Sequence, residues 1–205
     1  MIRTIASALF SLVLPVLMVT SASAQQPIRI VAFGGSSTYG QGVERYDAYP
    51  AKLEKALKAK GYNVVVTNAG VSGDKTSDGL ARLDRAVPAG TQIVIVEYGI
   101  NDTFARVDPQ TIQANLDTML SRLKARGAEI LLVSSRGLNL EPLAQRYGAV
   151  NTNFGFADNG NAKYRVANDP QQRTQGVAHF NAAGYDMVVA HILPKVEEVI
   201  LRVRR

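Results

Sequence analysis

The run Ile93-Val94-Ile95-Val96 constrains this chain more than any other stretch, because its apolar residues do not alternate with polar ones. A strand of that kind is buried on both faces, which calls for helices above and below a parallel sheet. Shorter apolar runs at 28–33, 63–68 and 129–134 supply further strands. Between them lie stretches with helical spacing. Residues 49–60 put Leu53, Ala56 and Leu57 on one face, with lysines between, and stop at Gly61. A short helix is expected over 76–85. Asp108-Pro109 opens another as N-cap and first-turn proline, with Gly127 closing it after Arg126. Asn181 caps a long helix from Ala182 towards Arg204, in which Pro194 predicts a kink. Strands alternating with helices predict an α/β domain of three layers, α/β/α, around a parallel sheet. Region 136–175 offers only a short helix near 142–147 and then a polar, Asn- and Gly-rich stretch.

The N-terminus reads differently. Arg3, an apolar run from Ile5 to Val19 and then Ser21-Ala22-Ser23-Ala24 form the three parts of a secretory signal peptide, expected over 1–24. The run is short for a membrane span of ~20 residues, so no stable membrane anchor is expected after cleavage. Residues 25–205 are long enough for one domain with a substantial core. The chain has no cysteine, which excludes a thiol nucleophile and a cysteine metal site. Its two histidines are far apart in sequence, a poor basis for a metal centre, and no cofactor is expected. A net charge of +6, partly in the tail Arg202, Arg204 and Arg205, comes with no basic stripe interleaved with aromatics. Nucleic acid is therefore not an expected partner.

Candidate chemistry sits at strand ends. Phe33-Gly34-Gly35-Ser36-Ser37-Thr38-Tyr39-Gly40 follows the first strand and puts a hydroxyl, Ser36, at the carboxyl edge of the sheet, where open α/β folds bind ligands. A serine nucleophile needs a base and donors for the oxyanion that forms on attack. His191 falls in the apolar part of the last helix and is read as structural. His179 lies in the loop Gly176-Val177-Ala178-His179-Phe180, and a base or a histidine bonded to nearby backbone fits it equally. Two further strand ends carry polar loops, Asn68-Ala69-Gly70-Val71-Ser72-Gly73-Asp74 and Glu97-Tyr98-Gly99-Ile100-Asn101-Asp102. The Gly73 N–H and the Asn101 side-chain amide are suitable donors there.

Taken in order, these blocks resemble the SGNH hydrolases, also called the GDSL lipase/esterase superfamily. They are Gly34-Gly35-Ser36-Ser37-Thr38, Asn68 to Asp74, Gly99-Ile100-Asn101-Asp102, and Gly176-Val177-Ala178-His179-Phe180-Asn181. The resemblance implies a flavodoxin-like sheet, and a Ser36–His179 mechanism on small-molecule esters or thioesters. It implies an oxyanion hole from the Ser36 amide, Gly73 and Asn101. Exported members include thioesterase, lysophospholipase and arylesterase types.

Two departures stand out. The family's first block has aspartate where this chain has Gly35, and a bulky aliphatic at Ser37. Its last block has aspartate three residues before histidine, where this chain has Gly176; a one-residue insertion brings Gln175 to that place. The expectation is a Ser36–His179 dyad oriented by Gln175 or a backbone carbonyl, with Asp169 as the stand-in. Loss of the acid also leaves room for a module that binds an acylated glycan or lipid without turnover. A phosphate-cradle reading of the Gly34–Gly42 loop fails for want of a Gly-Lys-Ser/Thr ending. Tyr147, Phe154, Phe156 and Tyr164 are expected to wall a pocket for short acyl, aryl or sugar-acetyl groups.

Overall fold

The computed structural model describes residues 26–134, 137–154 and 161–204; the expected leader at 1–24 and Phe156 fall outside them. Five strands, β1 (Ile28–Gly34), β2 (Val64–Asn68), β3 (Ile93–Glu97), β4 (Glu129–Ser134) and β5 (Val150–Asn153), make one sheet in the order β2-β1-β3-β4-β5. Every neighbouring pair is parallel. Eight helices accompany them among the described residues: α1 (Ser36–Tyr39), α2 (Tyr49–Ala59), α3 (Thr76–Ala86), α4 (Ile100–Phe104), α5 (Pro109–Ala125), α6 (Glu141–Tyr147), α7 (Pro170–Gln175) and α8 (Ala182–Val203).

The period-2 geometry of a strand sends successive side chains to opposite faces, and here both faces are apolar. Ile30 and Ala32 of β1 and Ile93 and Ile95 of β3 pack with Tyr49 and Leu53 of α2 and with Val188, Ile192 and Val196 of α8. Val31, Phe33, Val94 and Val96 point the other way, against Leu83 of α3 and Leu116 and Leu120 of α5. Each such aliphatic side chain, fully buried, contributes about 1.5–3 kcal/mol of transfer free energy. The three-layer expectation is met.

The sheet also fixes where chemistry can occur. The chain leaves β1 for β2 on one side and returns as β3 on the other, so β1 and β3 diverge at a switch point. In register Gly34 lies beside Glu97, which brings the loops after both strands together.

Several elements depart from the sequence reading. β5 and α7 lie in the region that gave no clear pattern, and α1 and α4 are single turns after strand ends. α8 runs through Pro194 as one element. Proline leaves the carbonyl four residues earlier, that of the exposed Ala190, without its helical donor. His191 is exposed on the same helix, away from any site. No helix among the described residues is long and apolar enough to cross a membrane.

Candidate active site

Three strand ends are tied into one edge by Arg82 of α3. Its guanidinium donates to the Gly34 carbonyl after β1 (3.2 Å), the Ala69 carbonyl after β2 (2.8 Å) and the Tyr98 hydroxyl after β3 (2.6 Å). Nε also donates to Asp74 at 2.6 Å, and the group lies 4.7 Å over the Phe33 ring. Asp102 adds a second tie, accepting from the Thr76 N–H (2.9 Å) and hydroxyl (2.5 Å) at the start of α3.

On this edge Ser36 is the first residue of α1 and is 6% exposed. Asn101, in α4, donates from Nδ2 to the Asp74 carbonyl at 2.8 Å, which fixes the amide and leaves its second N–H for another acceptor. A Cβ on Gly35 would stand 3.2 Å from that Nδ2.

The third part comes from the long loop. Asp169 caps α7, its Oδ1 accepting from the Gln171 N–H at 2.9 Å. The short helix and the turn after it carry the chain back, so that Asp169 Oδ2 takes both the backbone N–H and the ring Nδ1 of His179, each at 2.6 Å. Burial opposes charge on this carboxyl, but the His179 and Gln171 N–H groups and the imidazole outweigh it and hold the Asp169 pKa below the ordinary range. An ionised Asp169 selects the Nδ1–H tautomer and leaves Nε2 as the nitrogen with a free lone pair. Nε2 is buried without a hydrogen-bond partner.

Ser36, Asn101 and His179 line one cleft of about 100 Å³. Gly73 is exposed and is not part of that lining; it adjoins Asp74, whose carbonyl holds Asn101. The orienting expectation needs correcting. Gln175 does not take up the imidazole: its Oε1 is buried with no partner, and Nδ1 belongs to Asp169. Nine residues separate the two members of the pair, because α7 is inserted between them.

The cleft wall also differs from expectation. Phe154 lines it, together with Ile100, Phe104, Val177 and Phe180. Tyr147 packs instead into the core around α5, and Tyr164 lies outside the lining. Glu97, which the sequence reading passed over as part of a loop, lines the cleft while only 5% exposed. Burial drives its pKa up to about 7 even though Thr38 and Gly35 donate to it. Among the described residues no cluster of His, Asp or Glu could hold a metal ion.

The chain is similar to known proteins along most of its length. The model of the GDSL-like Lipase/Acylhydrolase family matches residues 32–187. An arylesterase of Vibrio mimicus is 34% identical over 117 residues, 57% of this chain and 58% of that protein. Esterase TesA of Pseudomonas aeruginosa is 34% identical over 133 residues, 63% of this chain and 62% of the relative. This chain thus spans less than two thirds of those relatives' length. Among solved structures, AlinE4, an SGNH-hydrolase family esterase, is 31% identical with a TM-score of 0.63, covering 86% of this chain and 98% of that one. TesA superposes with a TM-score of 0.66 at 24% identity over 83% of this chain and 99% of that one, a likeness of fold. By sequence model, by fold and by the order of its blocks, the chain belongs to the GDSL-like lipase/acylhydrolase family.

Proposed function

We propose that the protein hydrolyses small carboxylic esters or thioesters through a Ser36–His179–Asp169 triad. The observation that carries this reading is the Asp169–His179 pair, whose histidine lines the same cleft as Ser36. His179 takes the Ser36 proton as the hydroxyl attacks the acyl carbon, and the ionised Asp169 stabilises the imidazolium that forms. The tetrahedral oxyanion is received by the Ser36 N–H, the second N–H of Asn101 and, from the turn beside it, the Gly73 N–H. His179 then protonates the leaving alcohol or thiol, and water repeats the sequence on the acyl-enzyme.

The lining of the cleft favours short acyl or aryl groups: Phe104, Ile100, Phe154 and Val177 give it an apolar wall. The Arg3-to-Ala24 pattern supports export, to the periplasm or beyond. The reading as a binding module without turnover rested on the absent carboxylate, and Asp169 supplies one. Assays across p-nitrophenyl esters from acetate to palmitate test the proposal. Turnover should be highest at the short end, and a fluorophosphonate should label the wild type and leave Ser36→Ala unlabelled. A chain inert to all esters and unlabelled at Ser36 would refute it.

A further inference from the structure

The turn that carries Ser36 is held from outside. The first N–H groups of a helix need an acceptor, which an Asp, Asn, Ser or Thr at the N-cap normally supplies. Here the N-cap is Gly35, with no side chain to offer. Glu97, the last residue of β3, fills that role from the neighbouring strand. Its Oε2 accepts from Thr38 Oγ1 at 3.0 Å and, at 3.3 Å, from the Gly35 N–H, which it shares with the Glu97 backbone carbonyl at 3.2 Å; the Thr38 N–H also donates to its carboxyl. Gly35 and Thr38 flank Ser36, so three donors on the nucleophile's own turn converge on one group. The fit is close: a Cβ on Gly34 would collide with the Thr38 hydroxyl and with both the backbone and side chain of Glu97.

We propose that Glu97 is a positioning residue, a remote cap whose carboxylate fixes the α1 turn and so aims the Ser36 hydroxyl and N–H into the cleft. The inference rests on the hydrolase reading above. The charged carboxylate is the stronger acceptor for these donors, and protonation at Oε1 would leave Oε2 a neutral oxygen that holds the turn less firmly. The ionisable neighbours of Glu97 are Tyr49 from α2, whose hydroxyl is 3.4 Å from Thr38 Oγ1, Tyr98 after β3 and Tyr185 from α8. Arg82 reaches the adjoining Gly34 carbonyl, Asp74 pairs with Arg82, and Arg165 and His179 line the same cleft. Burial among these groups lifts the Glu97 pKa to about 7, so the cap would lose its charge within the working range of the enzyme.

The test compares wild type, Glu97→Gln and Glu97→Asp on p-nitrophenyl acetate from pH 5 to 9, with thermal melting and fluorophosphonate labelling alongside. Glu97→Gln keeps the volume but offers the same donors a neutral amide oxygen in place of a charged carboxylate. Its kcat should fall on the order of 10–100-fold, the effect of a small misplacement, with KM nearly unchanged. Its acid limb should lose one ionisation, becoming one proton steep where the wild type approaches two. Glu97→Asp should restore part of kcat and the second ionisation. A folded Glu97→Gln with wild-type kcat and a superimposable acid limb overturns the inference and leaves the hydrolase reading intact. If Glu97→Gln does not fold, the wild type decides, since an acid limb only one proton steep also overturns it. A wild type with neither turnover nor labelling refutes the hydrolase reading itself.

Discussion

Asp169 serves two ends with one carboxyl group. Oδ1 caps α7 and Oδ2 holds His179, so replacement by alanine would mix loss of a helix cap with loss of the imidazole's partner. Asparagine separates them, because it caps helices as well as aspartate does. Asp169→Asn keeps the cap but sets its amide N–H against the His179 backbone N–H, so it should melt above the alanine variant and below wild type while kcat drops about 10³–10⁴-fold, as when a triad acid loses its charge and the histidine its tautomer. Gln175→Ala should change kcat no more than about twofold, the scale of a surface substitution. Both are read from initial rates on a short ester. Equal, large losses in the two variants would return the orienting role to Gln175.

The helix that sets up this pair was written in the sequence, though not as periodicity. Pro170 to Gln175 contains no large apolar residue and buries none, so there is no stripe to detect. Its signal is the Asp169-Pro170 start, the same N-cap and first-turn proline that Asp108-Pro109 gives α5. β5 escaped for a related reason: of Val150-Asn151-Thr152-Asn153 only Val150 is buried, at the sheet's edge. The three inner strands, β1, β3 and β4, were legible because two apolar layers demand continuous apolar runs, and β2, at the other edge, by its Val64-Val65-Val66 run. Ser36, Asn101 and His179 were legible because turn residues after strands stand out against that pattern. Contacts between distant elements leave no such trace, and Arg82 is the clearest case. It joins α3 to three strand ends, with side chains 13% exposed for Arg82 and 12% for Asp74. Arg82→Met removes the guanidinium from over Phe33 and abandons a nearly buried carboxylate, and should cost about 3 kcal/mol of stability in urea unfolding. Arg82→Met combined with Asp74→Asn should recover part of that loss. Full additivity of the two single variants would mean that the ion pair does not couple the loops.

Across the whole molecule, stability should carry the imprint of two carboxyls with opposite shifts. Asp169 has its pKa lowered on folding, so its contribution is present above the ordinary 3.8 and disappears as acid protonates the folded carboxyl below that. The half-buried carboxylates Glu54, Glu197 and Glu198, lowered mainly by their lysine and arginine neighbours against the pull of desolvation, act in the same direction. Glu97 runs the other way. Its pKa rises from 4.5 to about 7, so its favourable term is complete below 4.5 and is lost as pH climbs through 7. Shifts of that size correspond to at most ~3 kcal/mol, most of it gone by pH 8. The folded protein should accordingly be most stable near pH 5 and weaken towards pH 8, which is an unusual profile for a hydrolase whose base must be neutral to act. Glu97→Gln has no proton to lose, so its unfolding free energy should stay level over that interval, with the gap to wild type opening from pH 5 to pH 8. Such a gap would mean that the charge under the nucleophile is kept at the expense of the fold, as strained catalytic groups are. Chemical denaturation of both proteins at half-unit intervals measures it, and parallel curves for the two would place the buried charge elsewhere.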